Sequence, residues 1–264
     1  ASRNGDLDTK YSELKPIALI LNDRNRQIEQ NMKEIRAEKE AVERAKQSKD
    51  ELVANITHEM NTPLTSIKGF SELLLREGLS AEQKEQALLT INRQSERLSD
   101  LVASIIHYSE IDNDELPSYE VSLSALAEET IEEFLPRIRE KNLTLTADIA
   151  PGVTLNSRQE RITAILENLI GNAIRYNKEG GALRISVSGA RSPVLVVEDT
   201  GIGIAEENLD KIFSRFFTVD KSHSGKGGGF GLGLAVVKKL CTRFDWRITV
   251  ESKEGEGTKF TVYF

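Results

Sequence analysis

Cysteine, proline and long apolar runs are all scarce in this chain of 264 residues. The single cysteine, Cys241, excludes an intrachain disulfide and a cysteine-based metal site. No run of about 20 apolar residues occurs, so no segment has the composition of a membrane-spanning helix. The formal net charge is -7, whereas a nucleic-acid-binding protein usually presents a basic face. Nucleic acid is therefore not an expected partner.

The composition is that of a folded protein with a large helical surface, with 39% apolar and 29% charged residues. The length leaves room for two compact domains and one extended element. The apolar neighbours of Cys241 predict a buried, unreactive thiol on a core helix. The sequence opens on Ala1 and Ser2 rather than on methionine, which favours a fragment of a longer protein.

Apolar residues recur every seven positions in the first part of the chain, which is helical in character from about residue 11 to 76. The repeat consists of Leu14, Leu21, Ile28, Ile35, Val42 and Ile56. This spacing is typical of a coiled-coil seam, although the second seam position carries Arg24, Asn31 and Glu38. A solvated helix and a parallel dimer both stay open. The dimer is favoured, because a long helix with one seam has no partner within its own segment.

A second long helix is predicted from about residue 81 to 112, after a break at residues 77–80. Two helices joined by a short turn form an antiparallel hairpin, whose exposed apolar stripe needs a partner. Two such hairpins would make a dimeric four-helix bundle. Residues 113–118 then have the character of a linker.

Beyond residue 118, helices alternate with short strands. Helices are predicted near residues 122–142, 158–176 and 233–244, and strands near residues 143–149, 183–188, 194–198, 247–251 and 258–264. Residues 157–160 have the form of a capping box for the middle helix. This mixture predicts an α+β sandwich with helices on one face of the sheet.

His58 lies in the segment THEMNTP, residues 57–63, of the first helix. In the heptad frame it points away from the seam, and Thr62, four residues later, shares its helix face. Glu59 can hydrogen-bond one ring nitrogen and leave the other as a nucleophile. A lone histidine is weak evidence, but Pro63 gives up a backbone hydrogen bond and is harder to explain as background. No second histidine lies four residues away, which excludes a two-histidine zinc site.

Three polar residues share one face of the helix predicted at residues 158–176. Asn168, Asn172 and Arg175 fall within about 60° of one another, beside an apolar stripe. An amide oxygen is an acceptable ligand for Mg²⁺, and the guanidinium suits a phosphate. A polar helix edge explains either asparagine alone, but it explains the three together poorly.

Two glycine-containing segments could let a ligand approach the backbone, although the first pattern alone is only moderately specific and the second alone is weak. Asp199 ends a predicted strand and can accept a hydrogen bond from an exocyclic amine, while Gly201 and Gly203 let a ring approach the backbone closely. Residues 224–234 contain six glycines before a helix, which favours a mobile loop and a phosphate-binding helix terminus. Neither segment matches a Walker A or a dinucleotide fingerprint.

Together and in this order, these segments resemble the histidine kinases of two-component systems over about residues 48–264. The segment around His58 resembles their phospho-acceptor box. The other matches are residues 167–177 to the N box, 199–203 to the G1 box, 212–217 to the F box and 229–234 to the G2 box.

The resemblance implies an all-α antiparallel helical hairpin that forms a dimeric four-helix bundle. A coiled-coil signalling helix would precede it, and an α+β sandwich of the GHKL or Bergerat ATP-binding fold would follow. The implied boundaries are a signalling linker at 1–47, the dimerisation and phosphotransfer domain at 48–113, a linker at 114–118 and the catalytic domain at 119–264.

The resemblance also implies ATP and Mg²⁺ as cofactors and assigns roles by position. His58 would attack the γ-phosphate with Glu59 as base, and Thr62 would orient water for dephosphorylating the regulator. Asn172 would hold Mg²⁺ with help from Asn168. The remaining nucleotide contacts would come from Arg175, Tyr176, Asp199, Gly201, Gly203, Arg215, Lys221, Gly229, Gly231, Gly233, Leu234 and Thr258.

The implied activity is autophosphorylation on His58, followed by transfer to an aspartate in the receiver domain of a response regulator, with phosphatase activity toward that regulator. The implied assembly is a homodimer that forms the cytoplasmic portion of a membrane-anchored bacterial sensor, with the membrane segment absent from this chain. Two other classes stay open: a related ATPase that never phosphorylates itself, and a catalytically inactive dimeric scaffold.

Two boxes depart from the family pattern. Met60 and Asn61 replace the usual leucine and cation of the acceptor box, and the lost cation would weaken contacts with the regulator or with the other domain. Thr218 stands where an arginine often reaches the γ-phosphate, with Arg215 or Lys221 as substitutes. The expectation is a competent but slow kinase.

Overall fold

The computed structural model describes residues 15–76, 78–113, 116–189, 191–218 and 230–264. The chain divides into two units, Ala1–His58 and Glu59–Phe264. One helix, α1 (Lys15–Leu74), begins in the first unit and ends in the second. Among the described residues, no helix is both long enough and apolar enough to cross a membrane.

In the first unit, α1 exposes the apolar side chains of the predicted seam. Ile28, Ile35 and Val42 are 57%, 61% and 62% exposed, and Leu14 lies outside the described residues. A row of long apolar side chains in water is unfavourable and marks a surface that another chain or element covers. The dimer stays a prediction that this exposure motivates.

The second unit begins with the end of α1 and with α2 (Ala81–Glu110), and the predicted helical hairpin is confirmed. Ser80 begins α2 with a capping box: its hydroxyl accepts a hydrogen bond from the Gln83 backbone N at 3.2 Å, and the Gln83 Oε1 accepts one from the Ser80 backbone N at 2.9 Å. α2 ends two residues earlier than predicted, because the chain tightens into a 3-10 turn at Ile111–Asn113.

The remaining elements form the α+β domain, and the predicted α+β class is confirmed. Its helices are α3 (Leu123–Glu140), α4 (Gln159–Arg175) and α5 (Gly233–Arg243). Its strands are β1 (Tyr119–Ser122), β2 (Thr144–Ile149), β3 (Thr154–Ser157), β4 (Ala182–Ser188), β5 (Val194–Asp199), β6 (Arg247–Lys253) and β7 (Gly257–Tyr263). β1 pairs with β3, and the other five form a sheet of order β2-β4-β5-β7-β6, in which β2 and β4 are parallel and the other pairs antiparallel.

The capping box predicted at residues 157–160 is wrong. α4 begins after Arg158, which makes no side-chain capping bond in the described structure. Ser157 instead ends β3 and is fully buried, and its hydroxyl has no hydrogen-bond partner among the described residues. The strands β1 and β3 are absent from the sequence prediction, since four residues are too few to show a clear alternation.

The core of the domain lies between the sheet and its helices. Leu183, Ile185 and Leu195 on the sheet are fully buried and belong to one apolar cluster with residues of α3, α4 and α5. Each such side chain contributes about 1.5–3 kcal/mol relative to an exposed one. Cys241 on α5 is 1% exposed, and burial raises the pKa of its thiol to about 11, so the predicted burial of this thiol is confirmed.

A buried arginine fixes the segment that enters the α+β domain. Arg161 on α4 is 4% exposed; its Nη1 donates to the Ser118 hydroxyl at 2.8 Å, and its Nη2 donates to the Leu116 carbonyl at 2.9 Å. Its guanidinium also lies 4.0 Å from the ring centroid of Phe244. These bonds compensate a charge that would be costly to bury alone.

A second contact holds the end of α2 against α5. The Lys239 Nζ donates to the Tyr108 carbonyl at 2.7 Å and to the Asp112 carboxylate at 2.8 Å. The same ammonium lies 3.9 Å from the centre of the Tyr108 ring. The hairpin and the α+β domain are therefore joined by noncovalent contacts as well as by the chain.

Candidate functional site

The polar face of α4 forms the centre of the candidate site. Its opposite face is buried in the core, which fixes the rotation of the helix and leaves Asn168, Asn172 and Arg175 half-buried at the domain surface. The Asn168 Nδ2 donates to the Ala164 carbonyl at 2.7 Å, which orients its amide. A side chain at Gly233 would come within 2.3 Å of the Asn168 Oδ1, so the glycine lets α5 begin directly beside this amide.

Lys141, the residue directly after α3, supports the end of α4. The Lys141 Nζ donates to the Ile174 carbonyl at 2.9 Å and to the Arg175 carbonyl at 2.7 Å, satisfying two of the carbonyls that a helix leaves unpaired at its end. Burial, with Arg137 next, lowers the pKa of Lys141. Sequence reasoning missed this residue, because a contact across 33 positions leaves no local pattern.

Asp199 lies at the end of β5, where the sheet meets the last turn of α4. Its Oδ1 accepts a hydrogen bond from the Gly201 backbone N at 2.8 Å. Burial raises the pKa of Asp199 to about 6, and hydrogen bonds from the backbone of Gly201 and of Thr258 partly offset this rise. A buried carboxylate with one oxygen already paired is suited to accept a hydrogen bond from a polar ligand group.

Two glycines make the turn after β5 possible. A Cβ at Gly201 would lie 2.2 Å from the Tyr176 carbonyl, and a Cβ at Gly257 would lie 2.0 Å from the Asp199 carbonyl. The Ile202 backbone N donates to the same Tyr176 carbonyl at 3.0 Å. The end of β5 is thus held against the end of α4 by backbone contacts that a side chain would block.

Two cavities open at this place, and Asn172, Tyr176 and Leu234 line both of them. The lining of the smaller cavity, of about 80 Å³, includes the predicted residues Asp199, Gly203 and Thr258, and also Thr218, the residue directly after the F box. The lining of the larger cavity, of about 430 Å³, includes the predicted residues Asn168, Arg175, Gly231 and Gly233.

Some predicted residues lie elsewhere. Gly201 and Arg215 line neither cavity. Gly201 packs against the Tyr176 carbonyl, and the Arg215 guanidinium lies 5.7 Å from the ring centroid of Tyr108. Lys221 and Gly229 lie outside the described residues.

The predicted acceptor segment lies on α1. His58 and Thr62 are exposed, Glu59 is half-buried, and Pro63 is buried. The Arg97 Nη2 lies 3.9 Å from the Glu59 Oε2. The exposure of His58 agrees with the outward heptad position predicted for it.

Sequence reasoning missed the wall that α2 contributes to the larger cavity. Arg93 and Arg97 of α2 line it, as do Phe230 and Glu167 from the α+β domain. Burial, with Glu133 next, raises the pKa of Glu167. The helical spacing predicts α2 itself, but no pattern in the sequence indicates which of its faces meets the other domain.

The protein thus combines a helical hairpin with an α+β domain that carries a polar cavity beside α4. Residues 48–114 match the His Kinase A (phospho-acceptor) domain family. Residues 157–264 match the histidine kinase-, DNA gyrase B-, and HSP90-like ATPase family.

Several known proteins are similar to this chain. Sensor histidine kinase RppB of Synechocystis sp. is 33% identical over 221 residues, which are 82% of this chain and 49% of RppB. The structure of full-length ShkA in complex with AMPPNP has a TM-score of 0.59 and 28% identity, over 81% of this chain and 45% of ShkA. Histidine kinase ThkA in complex with response regulator protein TrrA has a TM-score of 0.66 and 25% identity, over 81% of this chain and 60% of ThkA.

The chain belongs to the sensor histidine kinases of two-component systems. It spans about half or less of the length of the curated relatives that it matches.

Proposed function

We propose that this protein binds ATP, transfers the γ-phosphoryl group to His58 and passes it to an aspartate on a response regulator. One observation carries the proposal: a chain with an exposed His58 in an acceptor segment also holds two cavities that share Asn172 in their linings. The cavities supply a place for the two parts of a nucleotide, and the segment supplies the nucleophile.

The chemistry requires one bond to form and one to break. A ring nitrogen of His58 attacks the γ-phosphorus, a P–N bond forms, the bond to the bridging oxygen breaks and ADP leaves. The Glu59 carboxylate receives the proton from the other ring nitrogen, which leaves the phosphorylated ring neutral. In the second step a regulator aspartate attacks the phosphohistidine, the P–N bond breaks, and His58 recovers a proton. In our proposal, Thr62, an exposed residue one turn after His58, orients the water that hydrolyses the aspartyl phosphate of the regulator.

The smaller cavity suits the base of the nucleotide. Asp199 accepts a hydrogen bond from the exocyclic amine of adenine, and Gly203, which lines this cavity, leaves the backbone open to the ring. The larger cavity suits the phosphates, since Arg175 lines it and Gly231 and Gly233 bring the start of α5 close to it.

Asn172 is the residue that fits a magnesium ion. The described residues contain no group of three or more His, Cys, Asp or Glu side chains that would form a protein cage for a metal. Mg²⁺ typically takes one or two protein oxygens together with substrate phosphates and water, and Asn172 lines both cavities with Asn168 one turn away. When bound, the ion supplies charge compensation for the phosphates.

We further propose a homodimer, assembled through the apolar faces of α1 and α2, as the cytoplasmic portion of a membrane-anchored bacterial sensor. The exposed seam of α1 and the exposed Leu88, Leu89 and Val102 of α2 support this assembly. The structure of ThkA with TrrA supports a receiver domain as the partner. Residues 1–47, 48–113, 114–118 and 119–264 are the proposed linker, phosphotransfer domain, second linker and catalytic domain.

Incubation with ATP labelled at the γ-phosphate tests the proposal. We expect label that is stable to base and labile to acid, as a phosphohistidine is, and we expect His58→Ala to abolish it. His107→Ala is the matched control, because His107 is an exposed histidine on α2 outside both cavities, and it should retain the label.

The other possible results would contradict the proposal in different ways. Label that survives His58→Ala would refute the acceptor assignment. ATP hydrolysis without label would favour the related ATPase. ATP binding without hydrolysis or label, even with a receiver domain present, would favour the inactive scaffold.

A further inference from the structure

One wall of the larger cavity comes from the hairpin rather than from the α+β domain. Arg93 and Arg97 lie one turn apart on α2 and line the cavity together with Asn172 and Arg175 of α4. A nucleotide whose phosphates occupy this cavity would therefore meet cations from two different parts of the chain. Glu96, Asp100 and Glu167 also line it, so its charge is mixed rather than uniformly basic.

Of the two arginines that α2 contributes, Arg97 is the more buried. Its side chain is only 19% exposed, and its Nε is buried without a hydrogen-bond partner among the described residues. Its guanidinium lies 5.4 Å from the ring centroid of Phe230, the cavity residue that immediately precedes Gly231. Arg97 is therefore held at the cavity by packing, while part of its hydrogen-bonding capacity is unused.

The same guanidinium faces the acceptor segment. Its Nη2 lies 3.9 Å from the Glu59 Oε2, which is an ion pair but too long for a hydrogen bond. Glu59 is the residue that follows His58 in the chain. A phosphate offers two oxygens to a guanidinium in short, charge-assisted bonds, which are stronger than a loose pair with one carboxylate oxygen.

We propose that Arg97 is a positioning residue shared between two anions, the Glu59 carboxylate and the phosphates of a nucleotide in the larger cavity. The inference rests on the proposed function, since it assigns the ligand of that same cavity. Occupation of the cavity by phosphates draws the guanidinium from Glu59 and makes this carboxylate a better proton acceptor for His58. The acceptor segment is thereby coupled to the presence of nucleotide.

The test is a binding cycle that needs no turnover. All variants of the full chain carry His58→Ala, and the dissociation constants of ATP, ADP and adenosine are measured by calorimetry. Arg97→Gln should weaken ATP binding about tenfold or more, weaken ADP binding less, and leave adenosine binding unchanged. Arg97→Lys should restore part of the ATP affinity, because it keeps the charge but not the planar fork.

The decisive arm is Glu59→Gln. If the two anions compete, removal of the carboxylate charge frees Arg97, and ATP should bind about two- to fivefold more tightly. In the Arg97→Gln background the same change at Glu59 should have no effect. Lys84→Gln is the matched control, because Lys84 is exposed on the same helix and lines neither cavity, and it should leave all three constants unchanged.

An unchanged ATP affinity in Glu59→Gln, or a gain that persists without Arg97, would overturn the proposal. Where Arg97→Gln fails to fold, an unchanged ATP affinity in Glu59→Gln alone still overturns the proposal. ATP binding without any label on His58 in the otherwise unaltered chain would refute the proposed kinase activity and leave the coupling intact. Coupling absent from a chain that does label His58 would refute the role of Arg97 alone.

Discussion

At the scale of single residues, burial changes the protonation of Asp199, the carboxyl group that is proposed to accept a hydrogen bond from the nucleotide. Burial raises the pKa of this carboxyl group to about 6, so the protonated and ionised forms are close in free energy near neutral pH. Protonation turns one carboxyl oxygen into a hydrogen-bond donor, so only the ionised form can accept bonds from Gly201 and from an amine at separate oxygens. The raised pKa therefore makes the proposed nucleotide pocket sensitive to moderate acid.

We expect ATP affinity to fall as the pH falls through about 6. Below the raised pKa, a bound nucleotide must first displace the proton from Asp199, which costs up to about tenfold in affinity per pH unit. Above this pH the carboxylate is already ionised and the affinity should level off. Calorimetric titrations between pH 5 and pH 8 measure the effect. A tenfold loss of affinity corresponds to about 1.4 kcal/mol of binding free energy.

Asp199→Asn provides the control for this prediction. The amide should weaken ATP binding by about tenfold at pH 7.5, and it should remove the dependence on pH because it does not titrate in this range. A decline of equal steepness in Asp199→Asn would assign the pH dependence to another group.

At the scale of elements, the turn after β5 depends on space rather than on backbone freedom alone. A Cβ at Gly201 would meet the Tyr176 carbonyl at 2.2 Å, whereas a Cβ at Gly255 would meet nothing within 4 Å. Gly255 has a positive φ of 81°, and Gly201 does not. Substitution of Gly201 therefore tests the effect of close backbone approach, and substitution of Gly255 tests the effect of a strained backbone conformation.

We expect Gly201→Ala to lower the free energy of unfolding by about 1–3 kcal/mol and to abolish nucleotide binding, because α4 and the end of β5 must move apart. Gly255→Ala should cost only the strain of the left-handed conformation, about 1–2 kcal/mol, and retain binding. Urea unfolding and calorimetry measure both quantities. Full nucleotide affinity in Gly201→Ala would show that the turn tolerates the separation.

The sequence predicts most elements of this fold, because helices such as α4 have one continuous apolar face. It fails for β1 and β3, which have four residues each and pair with each other rather than with the main sheet. It places a capping box at Ser157, whereas the structure has one at Ser80, because the pattern does not reveal that Ser157 belongs to a buried strand end. Both errors come from tertiary context, which overrides a four-residue pattern.

The residues of the candidate site also differ in whether a local sequence pattern can predict them. Residues on one local element, such as Asn168 and Asn172 on α4, can be predicted together from helical spacing. Lys141 and Arg97 cannot, since each reaches the site from an element distant in sequence. Arg215 is close to the F box in sequence, but its side chain lies over Tyr108 rather than at either cavity.

At the scale of the whole molecule, the exposed seam of α1 predicts the oligomeric state. We expect the full chain to be a dimer in solution and the double variant Ile28→Glu, Ile35→Glu to weaken it, since two charges would be buried in an apolar seam. Light scattering coupled to size exclusion, over a range of concentrations, measures the change. The double variant should dissociate at a concentration at least about tenfold higher.

Gln30→Glu with Gln47→Glu adds the same charge to exposed positions away from the seam and should leave the mass unchanged. A wild-type chain that is monomeric at all concentrations would favour the solvated single helix. Equal weakening by both double variants would assign the effect to net charge instead of to the seam.

The bonds from Arg161 to Ser118 and Leu116 also have a kinetic consequence. They fix the entry to the α+β domain, so that two residues separate the fixed Leu116 from Asn113 at the end of the hairpin. The two parts belong to one chain, so the contacts between α2 and the α+β domain form at a rate that does not depend on the concentration of the protein. Arg161 fixes the point at which the chain enters the domain and so limits the arrangements in which those contacts can form.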